Sequence, residues 1–281
     1  MDIVLEAKDL LKIYRLPWRR QKIVALDHLN LKLKKGEIYG LLGPNGSGKT
    51  TAIKAFLGLL RLNSGEVRLF GERPSKIKIK SKIGFLPEES HFYKFLTAQE
   101  SLFFFGQLAG LKKEVIQKKA DTILHQLDLF KVKDRWVRNF SKGMLRRLGF
   151  AFILLKDPEL IFLDEPTIGL DPIGTRQVRE MMLDLKDRGK TILLSSHLLG
   201  EIEHVCDRIA ILYQGRVLKE DRVENILEVT NKIQIILQKK DEVQIQQLKA
   251  NLEQLGMTVE SIGHPRKTLE NTFLETIYPS P

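Results

Sequence analysis

Gly43-Pro44-Asn45-Gly46-Ser47-Gly48-Lys49-Thr50 follows the spacing G-x-x-x-x-G-K-S/T, and these residue types together suit the holding of a phosphate chain. Glycines let successive backbone N–H groups turn inward without Cβ obstruction, and a helix starting at the loop's end adds partial positive charge. Lys49 is expected to reach the β- and γ-phosphates and the Thr50 hydroxyl to ligate Mg²⁺. Further along, Leu160-Ile161-Phe162-Leu163-Asp164-Glu165 is an apolar strand ending in two carboxylates. At that strand edge Asp164 is the candidate Mg²⁺ ligand, and Glu165 the candidate general base for an attacking water. The two constellations predict a nucleoside triphosphate site.

Such loops need rigid elements on either side. Ile38 to Leu42 is a short apolar run closed by glycines, which reads as a buried strand leading into the phosphate loop. Residues 50–60 carry helix spacing, with Ile53, Phe56, Leu57 and Leu60 on one face. Residues 3–13 read as strand material ending at Tyr14, and Leu29, Leu31 and Leu33 alternate with polar residues as a half-buried strand. From about 90 to 155 the pattern is mainly helical, as in Leu102, Phe105 and Leu108, then Ile116, Ala120, Ile123 and Leu127. Strands return at 160–163 and 191–194 around a helix near 178–185. This alternation predicts a parallel sheet covered on both faces and interrupted by a helical insertion.

Beyond 222 the period changes. Ile233, Ile235 and Leu237 alternate as a strand, and Ile245, Leu248, Leu252 and Leu255 form a helical stripe closed by Gly256. A second strand at 257–262 and a helix at 268–277 complete a small α/β appendage. The 281 residues hold 46 Lys+Arg against 35 Asp+Glu. Residues 223–281 contain 6 basic and 8 acidic residues, so residues 1–222 carry a net +13. That excess suits an anionic partner such as a nucleotide, a nucleic acid or an acidic lipid surface, or serves general solubility. The longest apolar run, 148–155, is far short of the ~18–20 residues a bilayer span needs, so no crossing is expected. One cysteine, Cys206, allows no internal disulfide and fits a reducing, cytoplasmic setting.

Three further pieces narrow the reading: Phe140-Ser141-Lys142-Gly143-Met144 before a helical stretch, Asp171 after Gly169-Leu170, and Ser195-Ser196-His197 after a strand. In this order the motifs resemble the nucleotide-binding subunit of an ATP-binding cassette (ABC) transporter, over residues 1–222. The resemblance implies an α/β P-loop cassette with a parallel sheet core, an antiparallel β edge and a helical subdomain at about 90–155, followed by a small C-terminal α/β domain at 223–281. It implies that Tyr14 stacks on adenine and that Gly43 to Thr51 bind ATP. Glu88 would take the glutamine-loop place near Mg²⁺, facing the membrane partner. Ser141, Lys142, Gly143 and Met144 would act on the ATP of a partner chain, with Asp171 in the loop that crosses the dimer. Glu165, His197 and Lys49 would be the catalytic set, His197 as switch residue beside the γ-phosphate. The function implied is ATP hydrolysis by a homodimer, or a pair of similar cassettes, around two ATP. The subunit would sit peripherally on the cytoplasmic membrane face and drive a separate integral-membrane permease, with no nucleic acid involved.

Lys142 and Met144 replace the first glycine and the glutamine of the usual L-S-G-G-Q, an S-K-G-M form that resembles a subgroup of bacterial exporter cassettes. Glu88 stands in place of glutamine, and Ile168 where the dimer-spanning loop more often has serine. The alternative is a soluble ABC-type ATPase acting on nucleic acid or the ribosome; a kinase would share only the phosphate loop. Cys206 reads as a small core residue at a helix end rather than a metal ligand with His197 and His204. Lys76-Ile77-Lys78-Ile79-Lys80 could meet anionic lipid or an acidic partner, though it reads first as a half-buried strand or loop with a solvated face. Trp18 competes with Tyr14 as the adenine stacker, and its basic neighbours make it a candidate surface anchor instead.

Overall fold

The computed structural model describes residues 2–15, 22–228, 242–255 and 259. Inter-residue contacts divide the chain into two units, Met1–Ile226 and Leu227–Pro281. In the first, strands β1 (Ile3–Arg15), β2 (Lys22–Lys34), β3 (Ile38–Leu42) and helix α1 (Lys49–Phe56) precede β4 (Ser64–Leu69), α2 (Ile77–Ser81) and β5 (Ile83–Leu86). Helices α3 (Ala98–Leu108), α4 (Lys113–Gln126) and α5 (Lys142–Lys156) form the helical insertion. Then come β6 (Leu160–Asp164), α6 (Pro172–Asp187), β7 (Thr191–Ser196), α7 (Leu199–Glu203), β8 (Arg208–Tyr213), β9 (Arg216–Arg222) and α8 (Val223–Leu227).

Two sheets organise these elements. One is antiparallel, in the order β2-β1-β4; the other runs β5-β6-β7-β3-β8-β9, parallel except for the antiparallel edge strand β9. Every residue of β3, β6 and β7 is buried, as the uninterrupted apolar runs require in a sheet covered on both faces. Register then decides what meets what. Leu42 pairs with Ser196, and Asp164 with Ser195, so β3, β6 and β7 end side by side. In an open parallel sheet that carboxyl edge is where ligands bind. Phe162 in β6 is 0% exposed. Phe162→Ala is expected to cost about 3–5 kcal/mol of stability, read by denaturant unfolding, because the packed walls close only partly around the lost ring.

Local signals hold the insertion in place. Thr97 caps α3 by accepting from the Glu100 amide at 3.2 Å, while the Glu100 carboxylate accepts from the Thr97 amide at 2.8 Å. Ile116, Ala120, Ile123 and Leu127 are all buried, whereas Leu108, expected on the inner face of α3, is 69% exposed at that helix's end. The α1 helix stops at Phe56 rather than near residue 60, as Gly58 takes a left-handed φ of 68°. Residues 77–81 are helix α2, not the expected strand or loop: Ile79 is buried and Ile77 is 85% exposed. Five residues of alternating Ile and Lys satisfy either period, and packing of one isoleucine chose the helix.

In the second unit, α9 (Glu242–Gln254) follows the predicted helical stripe, with Leu248 exposed. The strands expected at 233–237 and 257–262 and the helix at 268–277 lie outside the described residues, apart from Val259. No helix among the described residues is long and apolar enough to cross a membrane.

Candidate functional site

The loop after β3 is built around spaces that only glycine leaves open. A Cβ on Gly43 would strike the Leu212 carbonyl and come within 2.6 Å of Ser47 Oγ. A Cβ on Gly48 would strike the Ala25 carbonyl, and Gly48 also holds φ at 109°. Pro44, Asn45 and Gly46 form the exposed rim, and Ser47 is buried with its hydroxyl oxygen lacking a hydrogen-bond partner among the described residues. A buried hydroxyl without a partner costs free energy unless a ligand supplies one. A phosphate oxygen in the loop would do so. Tyr14, 40% exposed, pairs with Ile23 across β1 and β2, two residues from the Ala25 that backs the loop. Lys12 Nζ lies 4.8 Å from the Tyr14 ring centroid. Trp18 is outside the described residues.

Lys49 is buried and points back into the loop. Its Nζ donates to the Gly43 carbonyl at 2.7 Å and the Pro44 carbonyl at 3.3 Å, and pairs with Glu165 Oε1 at 3.3 Å. The other carboxylate oxygen, Glu165 Oε2, meets His197 Nδ1 at 2.9 Å. Lys49, Glu165 and His197 therefore form one chain of polar contacts across the ends of three strands. One residue earlier, Asp164 Oδ1 accepts from Ser195 Oγ at 2.6 Å and from Thr50 Oγ1 at 3.2 Å. Thr50 and Asp164 thus face each other where a divalent ion would join them.

Glu165 holds a left-handed φ of 47°, a strained choice for a residue with a Cβ. Its backbone is held from both ends. The Glu165 amide donates to Ser195 O at 3.2 Å and Ser195 Oγ at 3.0 Å. Its carbonyl accepts from Ile168 N at 3.3 Å and from Arg146 Nη2. Sequence reasoning named Ser195 only as part of a motif and missed Arg146, whose signal was a charge on the buried face of α5, three, four and seven residues before Gly149, Phe150 and Ile153.

Ser141 is the N-cap of α5, accepting from the Met144 amide at 3.2 Å. Among the described residues, the nearest atoms to the Cβ position of Gly143 are Leu170 Cδ2 at 3.7 Å and Ser141 Oγ at 3.9 Å. The Lys142 stem lies 3.5 Å from the Cβ position of Gly169, so the α5 start abuts the loop ending at Asp171. Asp171 caps α6 by accepting from Gly174 N at 2.7 Å. Glu88 is exposed on the loop after β5, and no polar contact joins it to Thr50 or Asp164 among the described residues. Nor does any cluster of three or more His, Cys, Asp or Glu there suit a metal ion. Cys206 is buried, and burial pushes its thiol pKa up.

This arrangement has counterparts of known class. A family model described as ABC transporter matches residues 26–168. This chain belongs to the ABC transporter family. An uncharacterised ABC transporter ATP-binding protein of Synechocystis is 42% identical over 89% of the chain and 72% of its own length. The bacitracin transport ATP-binding protein of Bacillus licheniformis is 42% identical over 78% of the chain and 70% of its own length. A lantibiotic transport ATP-binding protein of Streptococcus pyogenes is 38% identical over 82% of the chain and all of its own length. Among solved structures, an ATP-binding subunit of an ABC transporter superposes with TM-score 0.69 at 30% identity, covering 79% of the chain and 91% of that structure. A dimeric cassette bound to ADP and Pi superposes with TM-score 0.71 at 25% identity, covering 78% and 98%. The chain is an ATPase cassette, the ATP-hydrolysing subunit of a transporter whose membrane passage is supplied by a permease.

Proposed function

We propose that residues 1–222 hydrolyse MgATP within a two-chain sandwich and drive an exporter permease at the cytoplasmic membrane face, with residues 223–281 as a separate small domain. The observation that carries this reading is the contact chain Lys49–Glu165–His197 beside a phosphate loop whose buried Ser47 hydroxyl lacks a partner. On ATP binding the loop amides and Ser47 receive phosphate oxygens, and Lys49 exchanges its carbonyl partners for the β- and γ-phosphates. Tyr14 offers a ring face to adenine. Thr50 and Asp164 would hold Mg²⁺, with Glu88 as a further candidate toward it, and the ion would neutralise charge on the β- and γ-phosphates. Glu165 takes a proton from the attacking water as its oxygen bonds to the γ-phosphorus and the bond to the ADP oxygen breaks. His197 steadies Glu165 from its other oxygen and lies next to the transferred phosphoryl group.

Ser141 and Gly143 complete the site of the opposite chain. The free amides at the α5 start suit a phosphate, and a Cβ on Gly143 beside them would already touch Leu170 and Ser141 of its own chain. Lys142 and Met144 flank these groups, and Asp171 stiffens the loop that crosses between chains. Two nucleotides close the pair, and loss of the γ-phosphates releases it. The permease docks in a cleft of about 320 Å³ between β5 and the insertion, lined by Phe85, Leu86, Phe92, Phe105 and Phe152, with Glu88 nearby. Export fits the S-K-G-M form and the relatives named for bacitracin and lantibiotic transport.

A mixed dimer tests the sandwich. With Ser141→Arg in one chain and Lys49→Ala in the other, both lesions fall on one shared site, and about half of the wild-type turnover should survive in a phosphate-release assay. Loss of both sites would mean that each serine serves its own chain.

A further inference from the structure

Arg146 has no part in the mechanism above, yet it is as deeply buried as Lys49. It lies on α5, 6% exposed. Its guanidinium gives Nη1 to the Pro87 carbonyl at 2.6 Å and Nη2 to the carbonyls of Glu165 and, at 3.4 Å, Asp164. One planar fork thus joins three segments: the α5 helix that begins at Ser141, the loop carrying Glu88, and the end of β6. Burial lowers the Arg146 pKa to about 10, while Asp164, Glu88 and Glu165 oppose that shift, so the group stays charged at neutral pH. An isolated buried charge would be costly; this one is matched by carbonyls of the two residues that the site depends on.

We propose that Arg146 is a positioning residue for hydrolysis: it fixes the left-handed peptide of Glu165, and so the aim of its carboxylate, and ties that peptide to the permease-facing Pro87–Glu88 segment. Lysine cannot replace it, because a single ammonium lacks the flat fork that spans Pro87 and Glu165 together. The inference rests on Glu165 acting as the base. It differs from a role in packing, which would lower melting temperature without touching the chemical step of the folded protein.

The test uses full-length Arg146→Gln and Arg146→Lys beside Glu165→Gln, comparing MgATP affinity, melting temperature, KM and kcat. A misaimed base can cost about 10²-fold in rate. Arg146→Gln should therefore lower kcat by about that factor with KM within about threefold, and Arg146→Lys should fall between it and wild type. If Arg146→Gln does not fold, Arg146→Lys, which keeps the buried charge, carries the comparison. Wild-type kcat in either folded variant, or a loss carried wholly in KM, overturns the role of Arg146 while Glu165→Gln remains inactive. Turnover surviving in Glu165→Gln would instead remove the base on which the proposal stands.

Discussion

Glu165→Gln should bind ATP as tightly as the native protein and hydrolyse it about 10²–10⁴-fold more slowly. Glutamine preserves the shape of the side chain and a polar partner for His197 Nδ1, which sits 2.9 Å from the native carboxylate. It has no basic oxygen to receive the proton of an attacking water. Lys49 is shared between Glu165 at 3.3 Å and the loop carbonyls. Removing the carboxylate's charge loosens Lys49 from that arrangement, so nothing in the substitution weakens its turn toward the phosphates. Because the γ-phosphates then persist, the closed two-chain state should accumulate. Phosphate release and equilibrium binding of a fluorescent ATP analogue, measured on the same preparation, check both halves. Wild-type turnover would remove Glu165 from its assigned role.

Lys49→Ala should lose ATP binding and hydrolysis together. The ammonium is 6% exposed, its partner Glu165 likewise buried. Charge-assisted hydrogen bonds contribute about 1.5–3 kcal/mol each, so loss of the β- and γ-phosphate contacts together should weaken MgATP by about 10²–10⁴-fold. The damage extends further, for the substitution removes the ion pair that Lys49 makes with Glu165 Oε1 at 3.3 Å. Calorimetric titration with MgATP reads the affinity, and unchanged affinity and rate would sink the phosphate-loop assignment.

The parts of the site legible in the sequence were those written in consecutive residues. The phosphate loop, the Asp164-Glu165 strand end and Ser141 at a helix start each depend on local geometry, and β3, β6, β7 and α5 deliver them as expected. Contacts between distant segments left no such trace. Arg146 finds its partners 59 residues before it and 18 to 19 residues after it, and Ser195 meets Asp164 only because β6 and β7 are in register. Strands β4, β5, β8 and β9 went unread for a related reason: each is short or mixed in pattern and is stabilised by pairing rather than by its own period. Asp171 shows the reverse case. Followed by Pro172, it is a readable helix cap, but the resemblance drew notice to its loop rather than to its capping.

The most direct measurement is the solution mass of Glu165→Gln by light scattering, with MgATP and with MgADP, beside the double variant Glu165→Gln, Ser141→Arg. The account predicts a two-chain particle holding two ATP, seen with MgATP in the single variant and absent from the other two samples. A single-chain particle saturated with ATP, with and without the permease, would contradict it.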